Sequence, residues 1–162
     1  MIFVTVGSMM PFDRLVAAAD AWAAASGREA FAQIGEGRYL PRHMEYTRRL
    51  APGAFAARLR VAELIVAHAG MGSVISALEA GKPIVVMPRR SADREVTTDH
   101  QLHTTKWLTG KPGVHVAANE DDLAAAIERA LAELARNEGR PPPLPQAAQA
   151  EFLARVRGFL EG

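Results

Sequence analysis

The sequence contains no cysteine. Disulfides and thiolate metal sites are therefore excluded, and the composition suits a reducing, cytosolic compartment. No apolar run reaches the ~18 residues that a membrane-crossing helix requires. The opening residues, Met-Ile-Phe-Val-Thr-Val-Gly, lack the basic region and small-residue cleavage site of a secretory signal and read as a first strand. Charge of one sign is missing too: 19 Lys and Arg stand against 18 Asp and Glu, a formal net charge of +1. Nucleic-acid binding by general electrostatics is excluded, and any basic character must be local. The expectation is a cytoplasmic chain that does not cross a membrane by itself and has no nucleic-acid partner.

What is present suits one globular domain. The chain has 162 residues, 49% of them apolar and 23% charged, enough for a real core. Ile2–Val6 is a β-rich run stopped by Gly7. After Pro11, apolar residues at Phe12, Leu15, Val16, Ala19, Trp22 and Ala23 follow helical spacing. Glu29–Ile34 and Met44–Thr47 are weaker strand candidates on either side of the Gly35-Glu-Gly37 turn. A helix is expected over 53–61, a strand at Leu64–Ala67, and a helix opening at Ser73 and closed by Gly81 ahead of Pro83. Ile84–Met87 is uniformly apolar, as a parallel strand covered on both faces should be. A polar loop, Pro88–Thr98, leads to a helix at His100–Leu108 and a short strand at Val114–Val116. Asn119 caps a last helix whose first turn carries Glu120, Asp121 and Asp122.

Alternating strands and helices predict an α/β, Rossmann-like domain over residues 1–136, with a parallel sheet covered by helices on both faces. A Pro-rich linker at 137–145 and a tail helix at 146–162 follow. In such folds ligands bind at the carboxyl ends of the strands. Gly7-Ser8, His68–Ser73, Arg89-Arg90 and the loop up to His100 all follow strand ends and should meet at one edge.

His68-Ala-Gly-Met-Gly-Ser73 is the most informative stretch. It reads as strand, glycine loop and helix start, where unpaired amides and a partial positive charge favour a phosphate or diphosphate. The dinucleotide fingerprint is absent, because Gly70-x-Gly72 is followed by Ile75 and comes late in the chain. A P-loop is absent too, because Gly81-Lys82 is followed by Pro83.

Four ordered stretches, Phe3-Val-Thr-Val-Gly-Ser8, His68-Ala-Gly-Met-Gly-Ser73, Gly81-Lys-Pro-Ile-Val85 and Asp99-His-Gln101, resemble the C-terminal domain of glycosyltransferase family 28. The resemblance covers roughly 1–135 and is greatest to the stand-alone small subunits of two-component transferases. These include the dolichol-pathway N-acetylglucosaminyltransferase subunit and, by Met87-Pro-Arg-Arg90, the bacterial exopolysaccharide glucuronosyltransferase subunit. The resemblance implies half of a GT-B enzyme that binds a UDP-sugar donor without a cofactor. It implies inverting transfer of a sugar, glucuronate on the second likeness, to a lipid-linked glycan acceptor at the cytoplasmic face of the membrane. The other half would be a separate, membrane-anchored, acceptor-binding subunit.

On this reading Gly7, Ser8, Gly70, Gly72 and Ser73 border the diphosphate, and His68 contacts phosphate or sugar. Asp99, His100 and Gln101 match the family's donor-sugar motif. The relatives carry a ribose-binding Glu aligned with position 76; Ser76 departs from that pattern, and Glu79, one turn on, is the substitute. Arg89 and Arg90 would neutralise the leaving diphosphate or pair with a sugar carboxylate. For a general base the chain offers only Asp13. His100 and His103 have metal-pair spacing but no third ligand, so no metal is expected. Met9, Met10, Phe12 and Trp107 are candidates for partner contact. The alternatives are a non-catalytic UDP-sugar-binding module and a self-sufficient small UDP-sugar enzyme.

Overall fold

The computed structural model describes residues 1–97 and 100–137. Six strands form one all-parallel sheet: β1 (Ile2–Thr5), β2 (Ala30–Gln33), β3 (Glu45–Thr47), β4 (Leu64–His68), β5 (Ile84–Met87) and β6 (Val114–Val116), in the order β3-β2-β1-β4-β5-β6. Five α-helices connect or follow them: α1 (Asp13–Ser26), α2 (Pro52–Val61), α3 (Met71–Glu79), α4 (His100–Leu108) and α5 (Glu120–Arg136). The expected α/β domain is the one observed. The linker and the tail helix expected after residue 137 lie outside the described residues.

The strands of the sheet centre are mostly apolar because both faces are covered, with polar residues only at their carboxyl ends (Thr5, Gln33 and His68). On one face α1 and α5 bury Leu15, Val16, Ala19, Leu123, Ile127 and Leu131 against Ile2, Val4 and Val66. On the other, α2, α3 and α4 bury Leu59, Val74, Ala77 and Leu108 against Phe3, Ile65 and Val86. Each of these large side chains contributes roughly 1.5–3 kcal/mol by leaving water. Phe12, a candidate for partner contact, belongs to this core instead, at 1% exposure, whereas Met9 stands 88% exposed. Trp107 is half-buried against the second cluster.

Helix ends follow local chemistry. The Asn119 side chain accepts from the amides of Asp121 and Asp122, as its sequence position predicts. Helix α3 starts at Met71, not Ser73; its cap is Gly70 in extended conformation, and no side chain caps it. The first turn of α3 therefore lies two residues nearer the strand than the sequence suggests.

The long crossover between β2 and β3 is fastened to α1 by one buried carboxylate. Asp20, 1% exposed, accepts from the amides of Arg42 and His43 and from the Tyr39 hydroxyl at 2.8–3.1 Å. Burial works against its charge, but these donors outweigh it and hold the carboxyl below the usual range. Replacing Asp20 by Ala strands the donors and should lower stability by about 2–4 kcal/mol in denaturant titration. Because the folded pKa lies below the unfolded one, this contribution is complete above the unfolded pKa and is lost as pH falls through the folded value. Asp20→Ala should therefore be less sensitive to acid than the wild type.

Candidate functional site

Strand order reverses between β1 and β4, so the loops after these two strands separate and leave a crevice at their carboxyl ends. A cleft of about 940 Å3 opens there. Of the residues expected in the site, Gly7, Ser8, His68, Gly72, Ser73, Ser76, Arg89, His100 and Gln101 line it. Gly70, Glu79, Arg90 and Asp13 do not. Asp99 lies outside the described residues.

The cleft floor is built around His68. A Cβ on Gly7 would stand 2.6 Å from its Cε1, and one on Gly70 would stand 2.2 Å from its Nε2. The imidazole therefore fills the space both glycines vacate, and Gly7 also needs glycine for its φ of +77°. Burial, with Arg89 nearby, pushes the His68 pKa down to about 4, so the ring is neutral at physiological pH. Its Nδ1 is buried without a partner.

Gly70 corrects the sequence reading. Its amide donates to the His68 carbonyl at 2.8 Å, and that of Ser73 to the Gly70 carbonyl at 3.1 Å. Among the described residues, the amides of Met71 and Gly72 have no acceptor. Of these two, Gly72 lines the cleft beside the Ser73 side chain, while Gly70 makes room for His68. A Cβ on Gly72 would meet nothing within 4 Å.

Opposite α3 stands Arg89, 4% exposed. Its guanidinium donates to the carbonyls of Val6 (2.7 Å) and Met10, and its Nε is buried with no partner. Its amide donates to Gln101 Oε1 at 3.0 Å, which fixes that amide side chain at the cleft. Burial lowers the Arg89 pKa to about 10, so it stays cationic at neutral pH. No described carboxylate lies within ion-pair distance of it.

Two further expectations are corrected. Arg90 does not line the cleft and pairs with Asp93 (2.7 Å) and Glu120 (3.0 Å) instead. The Asp13 carboxylate, the candidate base, does not line the cleft and accepts from the amides of Arg38 (3.0 Å) and Tyr39 (3.2 Å). Between the alternatives for the ribose position, Ser76 lines the cleft and Glu79 does not. No described group of His, Asp and Glu residues could hold a metal ion.

Sequence reasoning missed the other half of the cleft. Leu50, Pro52 and Phe55 form an apolar wall beside Glu36 and Arg49, which pair with each other at 2.9 Å. It also missed Gln33, whose Nε2 donates to the Gly7 carbonyl at 3.0 Å and whose Oε1 accepts from Thr5 Oγ1 at 2.6 Å. The available signal was a polar residue inside a buried strand, which requires built partners.

A cleft at the switch point, bordered by a free amide at a helix start and by a buried cation, has the chemistry to receive an anion. The family model described as glycosyltransferase family 28 C-terminal domain matches residues 1–156. The chain belongs to this family. It is 30% identical over 119 residues to the human (Homo sapiens) UDP-N-acetylglucosamine transferase subunit ALG13, a match that covers 66% of this chain and 10% of that protein. This family 28 chain thus spans about a tenth of that relative. Among solved structures, the NMR structure of ALG13 is 17% identical at a TM-score of 0.58, covering 94% of this chain and 93% of that one. The calicheamicin glycosyltransferase CalG4 is 20% identical at 0.58, covering 99% of this chain and 42% of that one. The kitacinnamycin glycotransferase is 21% identical at 0.58, covering 85% and 36%. The fold is therefore shared with one part of longer glycosyltransferases and with nearly the whole of the ALG13 chain solved by NMR.

Proposed function

We propose that this chain is the donor-binding half of a two-component, inverting glycosyltransferase and takes a UDP-sugar. The observation that carries the reading is that the unpartnered Gly72 amide and the Arg89 guanidinium, which has no described carboxylate within ion-pair distance, border one cleft. A diphosphate between them would accept from that amide and the Ser73 hydroxyl and balance Arg89. The apolar wall of Leu50, Pro52 and Phe55 suits the flat uracil, with Ser76 toward the ribose. Gln101, His100 and Asp99 would then address the sugar. In transfer, negative charge builds on the leaving diphosphate, where preorganised donors and a cation are most effective.

The acceptor hydroxyl needs a base within hydrogen-bond reach. Glu36 is the one described carboxylate residue lining the cleft, and it is paired with Arg49. Activation of the acceptor is therefore assigned to a second, membrane-anchored subunit that binds a lipid-linked glycan, as in exopolysaccharide assembly at the cytoplasmic face. No described helix is long and apolar enough to cross a membrane. The name of the human relative, a transferase subunit, supports the same division of labour.

The transferred sugar is proposed to be glucuronate. With Arg90 engaged elsewhere, Arg89 is the arginine of that pair left to favour an acidic donor, through the charge of its guanidinium at the cleft. Calorimetry with UDP, UDP-glucuronate, UDP-glucose and UDP-N-acetylglucosamine tests both levels. Saturable binding of UDP is expected, with UDP-glucuronate favoured about tenfold over the neutral donors. Absence of saturable heat at millimolar UDP would remove the donor-site reading, and equal affinities would remove glucuronate alone.

A further inference from the structure

The three arginines at the end of β5 and the start of α1 are treated very differently by their surroundings. Arg14, in the first turn of α1 and only 13% exposed in its side chain, donates to Glu95 through Nε (3.0 Å) and an η nitrogen (2.9 Å). It also reaches Glu120 at 2.7 Å and the Pro88 carbonyl at 3.0 Å. Burial disfavours its charge, but Glu95 and Glu120 more than offset this and hold its pKa above the ordinary value. Arg90 takes Asp93 and Glu120, and its amide donates to Glu95 at 2.9 Å. Three carboxylates are thus gathered on Arg14 and Arg90, while the Arg89 guanidinium hydrogen-bonds only to main-chain carbonyls and feels Glu95 through space.

This division is built, not incidental. The chain between Arg90 and Glu95 turns through a short 3-10 helix, Ser91–Asp93, and then Arg94 at φ +57°. A left-handed non-glycine residue costs about 1 kcal/mol and persists where surrounding bonds impose it. Here the imposed turn carries Glu95 back to Arg14. Phe12 lies between the two cations, with the Arg14 and Arg89 guanidinium carbons 5.3 and 5.2 Å from its ring centroid.

We infer that Arg14 is a positioning residue of the donor cleft: it holds Glu95 in a direct ion pair, limits how far that carboxylate compensates Arg89, and so keeps the Arg89 charge available to an anionic donor. The inference rests on the donor-site reading above. Without Arg14, Glu95 remains anchored by the Arg90 amide one residue from Arg89, and its unbalanced charge opposes an incoming diphosphate. Removing Glu95 as well restores the original net charge of the cluster.

The test uses R14M, E95Q and R14M/E95Q in the full chain, titrated with UDP. R14M should bind about tenfold more weakly than wild type, the change expected for one unit charge left unbalanced beside a half-buried site. E95Q should bind more tightly, and the double variant should return to within about twofold of wild type, because it restores the original charge balance. A purely structural latch would leave the double variant as weak as R14M, and that result, or an E95Q weaker than wild type, overturns the inference. Should R14M not fold, E95Q and the double variant still decide. The ligand-free chain gives a second readout: the His68 ring titration, followed by NMR, should move up from about 4 in R14M and return in the double variant. If wild type binds no UDP, the donor-site reading fails, and the His68 shifts alone decide whether Arg14 sets the charge at the cleft floor. Unmoved shifts would overturn it.

Discussion

Gly72→Leu is expected to abolish UDP binding while leaving the fold intact. The position lies in the first turn of α3, its amide has no acceptor, and a Cβ there would meet no heavy atom within 4 Å. Leucine is the better helix former by up to ~1 kcal/mol, so thermal stability should hold or rise. The added side chain projects into the open cleft, where the diphosphate would have to approach the main chain. Loss of that approach should weaken binding by at least ~100-fold, as expected when charge-assisted bonds are blocked. Calorimetry beside a thermal melt checks both halves. Binding within a few-fold of wild type would move the diphosphate away from α3.

The second large effect is expected at Arg89→Met. Two opposing terms decide its stability. The carbonyls of Val6 and Met10 lose a donor, about 1–3 kcal/mol each, whereas the chain no longer buries a cation that lacks a carboxylate partner. The terms largely cancel, leaving a net change within about 2 kcal/mol. Binding has no such compensation: the cleft loses its buried positive charge, and UDP affinity should fall by about 100-fold. Denaturant midpoints and UDP titration separate the two quantities. A variant that keeps its midpoint and still binds UDP would take Arg89 out of the donor site.

The fold was legible because its information is periodic. The β-rich or apolar runs Ile2–Val6, Leu64–Ala67 and Ile84–Met87 alternate with helical stripes, and the all-parallel sheet follows from that alternation. Asn119 was legible as a cap from its neighbours alone. The cleft lining was legible where a motif follows a strand end, as at Gly7, His68, Gly72 and Ser73. It was not legible where the deciding contact is distant in sequence. Arg89 and Arg90 are adjacent and chemically identical; their roles differ because Glu120 and Asp93 reach only Arg90, while the loop after β1 reaches only Arg89. Asp13 read as a base until the amides of Arg38 and Tyr39 were found on it. The wall of Leu50, Pro52 and Phe55 carried no signal, since apolar residues in a helix start look like core.

The imidazole wedged against Gly7 and Gly70 ties three positions into one inheritance unit. While position 68 holds a ring, even a methyl group at 70 collides with it. A lineage could enlarge position 70 only after position 68 had first shrunk. His68→Ala should therefore act as a suppressor that rescues Gly70→Ala, and the order in which two such changes could be fixed is set by sterics alone.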